Sequence, residues 1–255
     1  MRTPPSLVAL HGFIGSGADF DLLRDRLPTL TWRTPDLPGH GDGETAPHAF
    51  RIPAIASAVA HELAALPPPR ILLGYSMGGR VALHTALQFP DHVDGLVLIG
   101  ASPGLADDAE RAARIAVDDQ RAARALELGG AAFAREWAKV PIIASQATIP
   151  PPWRDAMVAR RLQSDAAGLA LSLELTGTGR MEPLHDRLRD LRMPILLVVG
   201  ETDSKFRAIA EDMAIRLRRR RVRVIEGAGH AAHLEQPDRF ADVLRTWIDE
   251  SMGDA

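Results

Sequence analysis

The 255-residue chain contains no cysteine, which excludes disulfides, thiol catalysis and thiolate metal sites and fits a reducing compartment. It also lacks an excess of charge of either sign. Thirty basic and 33 acidic residues leave a formal charge of −3, so nothing global points to a nucleic-acid or membrane partner. No uninterrupted apolar run approaches the roughly 18 residues that a transmembrane helix needs. The opening Met1-Arg2-Thr3-Pro4-Pro5-Ser6 passes directly into a short apolar run at residues 7–10. That run is too short for a signal-peptide core and has no small-residue cleavage site beside it. A soluble, cytoplasmic protein is expected. Internal repeats and low-complexity stretches are missing as well. What remains is 46% hydrophobic residues, enough for a substantial core in one large domain or a domain with an insertion.

One stretch organises the rest: Ile71-Leu72-Leu73-Gly74-Tyr75-Ser76-Met77-Gly78-Gly79-Arg80. An apolar run meets Gly-x-Ser-x-Gly, and a helical pattern (Val81, Ala82, Leu83, Ala86, Leu87) follows. This is the strand–turn–helix setting of a nucleophile elbow, although Gly-x-Ser-x-Gly by itself fits an ordinary βα turn equally well. In an elbow the serine occupies strained backbone, and a Cβ two residues to either side would clash.

Apolar strands are read at residues 7–10, 71–73, 93–99, 195–200 and 223–225, with a strand end at Trp32-Arg33. Helical patterns cover about 19–27, 53–66, 107–128, 130–139, 152–162, 166–175 and 237–247, and Pro67-Pro68-Pro69 stops the second of these. Strands alternating with helices imply an α/β fold with a mostly parallel, doubly wound sheet. The helical block between two such halves divides the chain into a core of residues 1–104 and 189–255 and a helical cap of 105–188. The cap is expected over the C-terminal edge of the sheet, where open α/β sheets bind ligands. The basic run Arg216, Arg218, Arg219, Arg220 and Arg221 reads as a solvated helix C-terminus.

Two further loops follow strands. Gly200-Glu201-Thr202-Asp203 places an acid beyond one, and Glu226-Gly227-Ala228-Gly229-His230 places a histidine beyond the next. The chain order Ser76, Asp203, His230 is that of an α/β-hydrolase triad. His230 would take the proton of Ser76, while Asp203 fixes the histidine tautomer. The glycine-rich His11-Gly12-Phe13-Ile14-Gly15 loop supplies a backbone N–H at Phe13 that, with that of Met77, is assigned to an oxyanion hole. His11 is read as shaping its loop, His233 as packing near the site, and residues 32–41 as loop architecture.

The segments around Ser76, Asp203 and His230, the last continuing as Ala231-Ala232-His233-Leu234-Glu235-Gln236-Pro237, resemble one family. So do His11-Gly12-Phe13, Ser102-Pro103-Gly104-Leu105, Phe133-Ala134-x-x-Trp137, Leu169-Ala170-x-Ser172-Leu173 and Gly177-Thr178-Gly179. The family is 2-succinyl-6-hydroxy-2,4-cyclohexadiene-1-carboxylate synthase of the menaquinone pathway. The likeness covers nearly the whole chain. It implies a lyase that expels pyruvate from an anionic small molecule, with no cofactor. It also implies that Arg80, Arg114 and Arg161 bind substrate carboxylates, with Arg160 an alternative register for Arg161 and Arg111 one turn from Arg114. Tyr75 and Trp137 match pocket residues of the family, and Trp137 suits packing within the cap equally well. Ser102 departs from the family, where a histidine often stands. Two other uses of the same site stay open: a serine carboxylester or C–C bond hydrolase, and a non-enzymatic ligand receptor.

Overall fold

Six strands form one sheet: β1 (Ser6–Leu10), β2 (Thr31–Arg33), β3 (Arg70–Tyr75), β4 (Gly95–Ile99), β5 (Ile195–Gly200) and β6 (Arg220–Ile225). In the computed structural model, which describes residues 4–252, their order is β2-β1-β3-β4-β5-β6 and every neighbouring pair is parallel. Residues 1–3, where the N-terminal reading began, lie outside the described residues.

Strands β4 and β5 are buried along their whole length, as is β1, because helices cover both faces of a parallel sheet. Side chains alternate between two cores. Val8, Leu10, Leu72, Leu98 and Leu197 face helices Ile52–Ala64, Met77–Gln88 and Ser204–Arg216, while Leu7, Ala9, Leu73, Val97 and Val198 face Pro237–Met252. The strand order reverses between β1 and β3. That reversal leaves a crevice beyond their C-terminal ends, and the loops after these two strands are the ones that border it.

Between β4 and β5 the chain is helical: Asp108–Leu128, Gly130–Trp137, Pro151–Arg161 and Ala166–Thr176 are the longer pieces. Asp107 and Asp165 cap two of them by accepting from the Glu110 and Gly168 amides at 2.8 and 2.7 Å. Gly129, at φ +78, turns the chain between the first two helices. These helices bury a small core of their own (Ala122, Ala125, Phe133, Ala134, Leu169, Ala170 and Leu173), joined by Ile14 from the loop after β1.

Several elements differ from the periodicity reading. Where a helix over 19–27 is expected, the chain forms a 3-10 turn, Gly17–Phe20, and a single helical turn, Asp21–Arg24; the Asp19 carboxylate accepts from the Ser16 amide at 3.3 Å and holds the tighter winding. The short turns Pro141–Ala144 and Ser145–Thr148 carry too few residues for a periodic signal. The basic run is not one helix end. The helix stops at Arg216, and Arg220 and Arg221 open β6, an edge strand whose exposed positions suit arginine and discourage pairing with another chain. Arg221 pairs with Glu250 at 2.7 Å. The last helix runs past Trp247 to Met252 and buries Phe240, Leu244 and Ile248 beside that tryptophan. Among the described residues no helix is long and apolar enough to cross a membrane.

Helix Met77–Gln88 starts against the end of β1, and Gly78 is the point of contact. A Cβ there would strike the Leu10 carbonyl and lie 2.6 Å from the His11 carbonyl oxygen. Gly78→Ala is therefore expected to lower stability by about 1–3 kcal/mol, read from the denaturant midpoint. An unchanged midpoint would contradict this packing.

Candidate active site

Ser76 sits between β3 and its helix at φ 51, ψ −107, a positive-φ conformation that costs a non-glycine residue of order 1–3 kcal/mol. Neighbouring glycines make the turn sterically accessible. A Cβ on Gly74 would strike the Gly78 carbonyl and lie 2.6 Å from the Gly79 Cα. The Ser76 amide donates to the Ile99 carbonyl at 2.9 Å and the Gly78 amide to the His11 carbonyl at 3.1 Å. The elbow is thus tied to β4 on one side and to the loop after β1 on the other.

That loop is shaped by His11, which is buried. The Leu37 amide donates to its Nε2 at 2.9 Å, so the proton resides on Nδ1 and is donated to the Gly12 carbonyl at 2.8 Å. Burial lowers the His11 pKa, keeping the ring neutral. Among the described residues neither the Phe13 nor the Met77 amide has a hydrogen-bond partner, and both residues line the cavity above Ser76.

Asp203 follows β5 and caps helix Ser204–Arg216, its Oδ1 accepting from the Phe206 amide at 3.3 Å. Its Oδ2 lies 2.7 Å from His230 Nδ1, and His230 Nε2 lies 3.0 Å from Ser76 Oγ. The imidazole is flanked by the rings of Phe206 at 4.5 Å and Tyr75 at 5.3 Å. Gly100, at φ +52, leaves the space it occupies, since a Cβ would come within 2.8 Å of His230 Cε1. Three groups from three loops thus form one continuous hydrogen-bonded chain.

A cavity of about 990 Å³ opens over Ser76 and His230, walled by Arg80, Arg114, Arg121, Ser102 and Trp137 among others. Arg80 is half-buried. It donates to the Thr176 carbonyl and approaches Met181 Sδ, and makes no ion pair among the described residues. Burial, reinforced by the nearby charge of Arg114, lowers its pKa to about 10, so it stays cationic at neutral pH. Arg114 donates from Nε to both oxygens of the buried Asp118 at 2.8 and 2.9 Å. Arg161 borders a smaller adjoining cavity that also touches Ser76. It donates to Gln146 Oε1 at 2.8 Å, and Gln146 Nε2 donates to the Tyr75 hydroxyl at 3.3 Å. Arg160 instead pairs with Asp19 at 2.7 Å, and Arg111 turns to Asp108 and the Gly179 carbonyl. Of Arg160 and Arg161, Arg161 is the one that shares a cavity with Ser76. Trp137 packs on Phe133 and Phe13, with ring centroids 6.2 and 4.9 Å away, and also walls the cavity. Ser102 lines the same cavity, exchanging hydrogen bonds with Gly104.

Sequence reasoning missed Arg121, Asp118 and Gln146. Arg121 reaches Asp118 at 3.4 Å and lies 5.4 Å over the Trp137 ring. Arg114, Asp118 and Arg121 are spaced i, i+4 and i+7, so their common helix face was legible as a pattern. Gln146 lies on a 3-10 turn and carried no such signal. His233 is fully buried against Tyr75 at 4.6 Å and Phe20 at 5.5 Å, and Glu201 accepts from the Gly227 amide. Among the described residues no cluster of three His, Asp or Glu side chains is arranged to hold a metal ion.

A model of the alpha/beta hydrolase family matches residues 7–243, and the chain belongs to that family. It is 35% identical over 249 residues to 2-succinyl-6-hydroxy-2,4-cyclohexadiene-1-carboxylate synthase of Citrobacter koseri, covering 94% of each chain. The corresponding protein of Serratia proteamaculans is 32% identical over 246 residues, covering 96% of this chain and 93% of that one. The structure of MenH from S. aureus superposes with a TM-score of 0.93 at 30% identity, over 99% of this chain and 96% of that one. Within the hydrolase family, the chain is a member of the 2-succinyl-6-hydroxy-2,4-cyclohexadiene-1-carboxylate synthases.

Burial lowers the pKa of both His40 and His233 to about 3, so these rings stay neutral in the fold. An unfolded histidine takes up a proton below about pH 6.5, so below that pH the unfolded chain binds more protons than the folded one. Stability is therefore full above pH 6.5 and falls as the pH drops from there towards 3. The slope is roughly 1.4 kcal/mol per pH unit for each ring. Denaturant unfolding at pH 7 and pH 5 measures it, and His233→Gln is expected to flatten the slope. A profile that is flat across this window would contradict the burial of neutral rings.

Proposed function

We propose that this protein is a lyase of menaquinone biosynthesis. It eliminates pyruvate from 2-succinyl-5-enolpyruvyl-6-hydroxy-3-cyclohexene-1-carboxylate and releases 2-succinyl-6-hydroxy-2,4-cyclohexadiene-1-carboxylate. Family membership supports the reaction. The observation that carries it to this site is Arg80, a half-buried guanidinium without an ion-pair partner, opening on the cavity that contains Ser76. A hydrolase acting on a neutral ester has no use for a cation there. A substrate with three carboxylates supplies the missing partner.

In this reading Ser76, His230 and Asp203 act as a catalytic triad directed at a carbon acid. Ser76 Oγ takes the ring proton beside the succinyl ketone as its own hydroxyl proton passes to His230 Nε2. Asp203 holds the other ring nitrogen and stabilises the imidazolium. Charge developing on the ketone oxygen is received by the Phe13 and Met77 amides, and one such donor contributes about 2.7–4 kcal/mol. The electron pair moves through the ring double bond, breaks the carbon–oxygen bond and expels enolpyruvate, which regains a proton from His230 and leaves as pyruvate. No cofactor is needed. Arg80, Arg114 and Arg161 hold the carboxylates, with Tyr75 and Trp137 bounding the ring. Residues 105–188 are read as a cap on the core formed by 1–104 and 189–255. The partner is this anionic small molecule rather than a nucleic acid or membrane, and the cytoplasm is the assigned compartment, consistent with the cysteine-free sequence.

Pyruvate release from the enolpyruvyl precursor is the direct assay. Ser76→Ala is expected to lower kcat by about 10³-fold or more while the substrate still binds. Arg80→Ala is expected to lower kcat/KM by about 10–100-fold, mostly through KM, as for loss of a charged hydrogen bond. Rapid stoichiometric acylation by a small activated ester, with no pyruvate formed from the precursor, would overturn the lyase assignment.

A further inference from the structure

Immediately behind the imidazole lies a carboxylate with no part in the chemistry described so far. Glu235 is 4% exposed and ends the short helix Ala232–Glu235. Its Oε2 accepts from the Gly229 amide at 2.6 Å and its Oε1 from the Ala231 amide at 3.0 Å. These amides belong to the residues on either side of His230. A third donor, the Ser145 hydroxyl, reaches Oε1 at 2.9 Å from the Ser145–Thr148 turn of the helical segment.

We propose that Glu235 is a positioning residue for His230, its carboxylate clamping the amides of Gly229 and Ala231 so that the imidazole between them stays in line with Ser76 and Asp203. All three partners donate, which suits an acceptor-only carboxylate. The geometry has little slack. A Cβ on Gly229 would strike the Ser145 hydroxyl and come within 3.1 Å of Glu235 Oε2, so the residue before the histidine is small where the clamp passes. Loop positions alone would leave His230 free to move with its backbone. Held at both flanking amides, the loop cannot shift the ring away from Ser76 Oγ without breaking a charge-assisted hydrogen bond. The hydroxyl of Ser145 adds a consequence for the helical segment: one of its turns is tied to the same carboxylate that fixes the histidine.

This inference rests on His230 acting as the base for Ser76, and the test separates its failure from failure of the lyase reading. Glu235→Gln keeps the shape but can offer its single carbonyl oxygen to only one amide, while its NH2 confronts the other. With the full-length enzyme two rates are measured: phosphonylation of Ser76 by a fluorophosphonate probe, which needs only a working Ser–His pair, and pyruvate release. Both are expected to fall together by about 10–100-fold, with KM within about twofold and the melting temperature close to that of the parent. Gly229→Ala, which displaces the clamp without removing the carboxylate, is expected to give the same signature and supplies the test if Glu235→Gln does not fold. Parental rates of labelling and turnover in a folded variant would overturn the proposal, as would losses that track only the unfolded fraction. Slowed labelling in the variants of an enzyme whose parent releases no pyruvate would uphold the clamp and reject the lyase.

Discussion

The site depends on one strained residue. Ser76 is held at a positive φ between a fully paired strand and the first turn of a helix, and its amide bond to Ile99 anchors it in the sheet. A serine in an ordinary βα turn would relax into a favoured conformation and lower its hydroxyl towards the sheet. Here the cost of order 1–3 kcal/mol is met by the buried strands on either side. The elbow also makes Met77 the first residue of a helix, where an N–H has no intrahelical partner to begin with. Strain, exposure of the hydroxyl and availability of a donor are one geometric fact.

The cationic wall poses a different physical problem. Burial disfavours the charge of Arg80, and the nearby guanidinium of Arg114 adds to that penalty. Asp118 offsets part of it by accepting from Arg114 and Arg121. An anionic ligand entering between them would take up the positive charge that Asp118 leaves uncompensated. On the function proposed above, a polyanion is the better complement to this wall than a neutral molecule of the same shape.

Much of the core was legible in the sequence because buried parallel strands are apolar at every position: residues 7–10 and 195–200 are recognisable with no partner in view. Ser76, Asp203 and His230 were legible for another reason, since each follows a strand and their chain order is specific. Arg80 stood out only beside the elbow motif. Other features depend on contacts between distant segments. Gln146 meets Tyr75 across 71 positions of sequence, and nothing local marks it. The arginines of β6 were misread because charge outweighed the short edge strand, and the turn at Gly17–Phe20 because the bond from the Ser16 amide to the Asp19 carboxylate leaves no mark on the periodicity.

Phe13 occupies two structures at once. Its ring is wedged against Phe133 and Trp137 of the helical segment, 6.5 and 4.9 Å away, while its backbone belongs to the loop that borders the serine. Withdrawing those helices would strip the aromatic support from a residue that lines a cavity with Ser76 and whose amide has no hydrogen-bond partner among the described residues. The placement of the loop beside Ser76 is thereby mechanically linked to the seating of the helices that pack on Phe13.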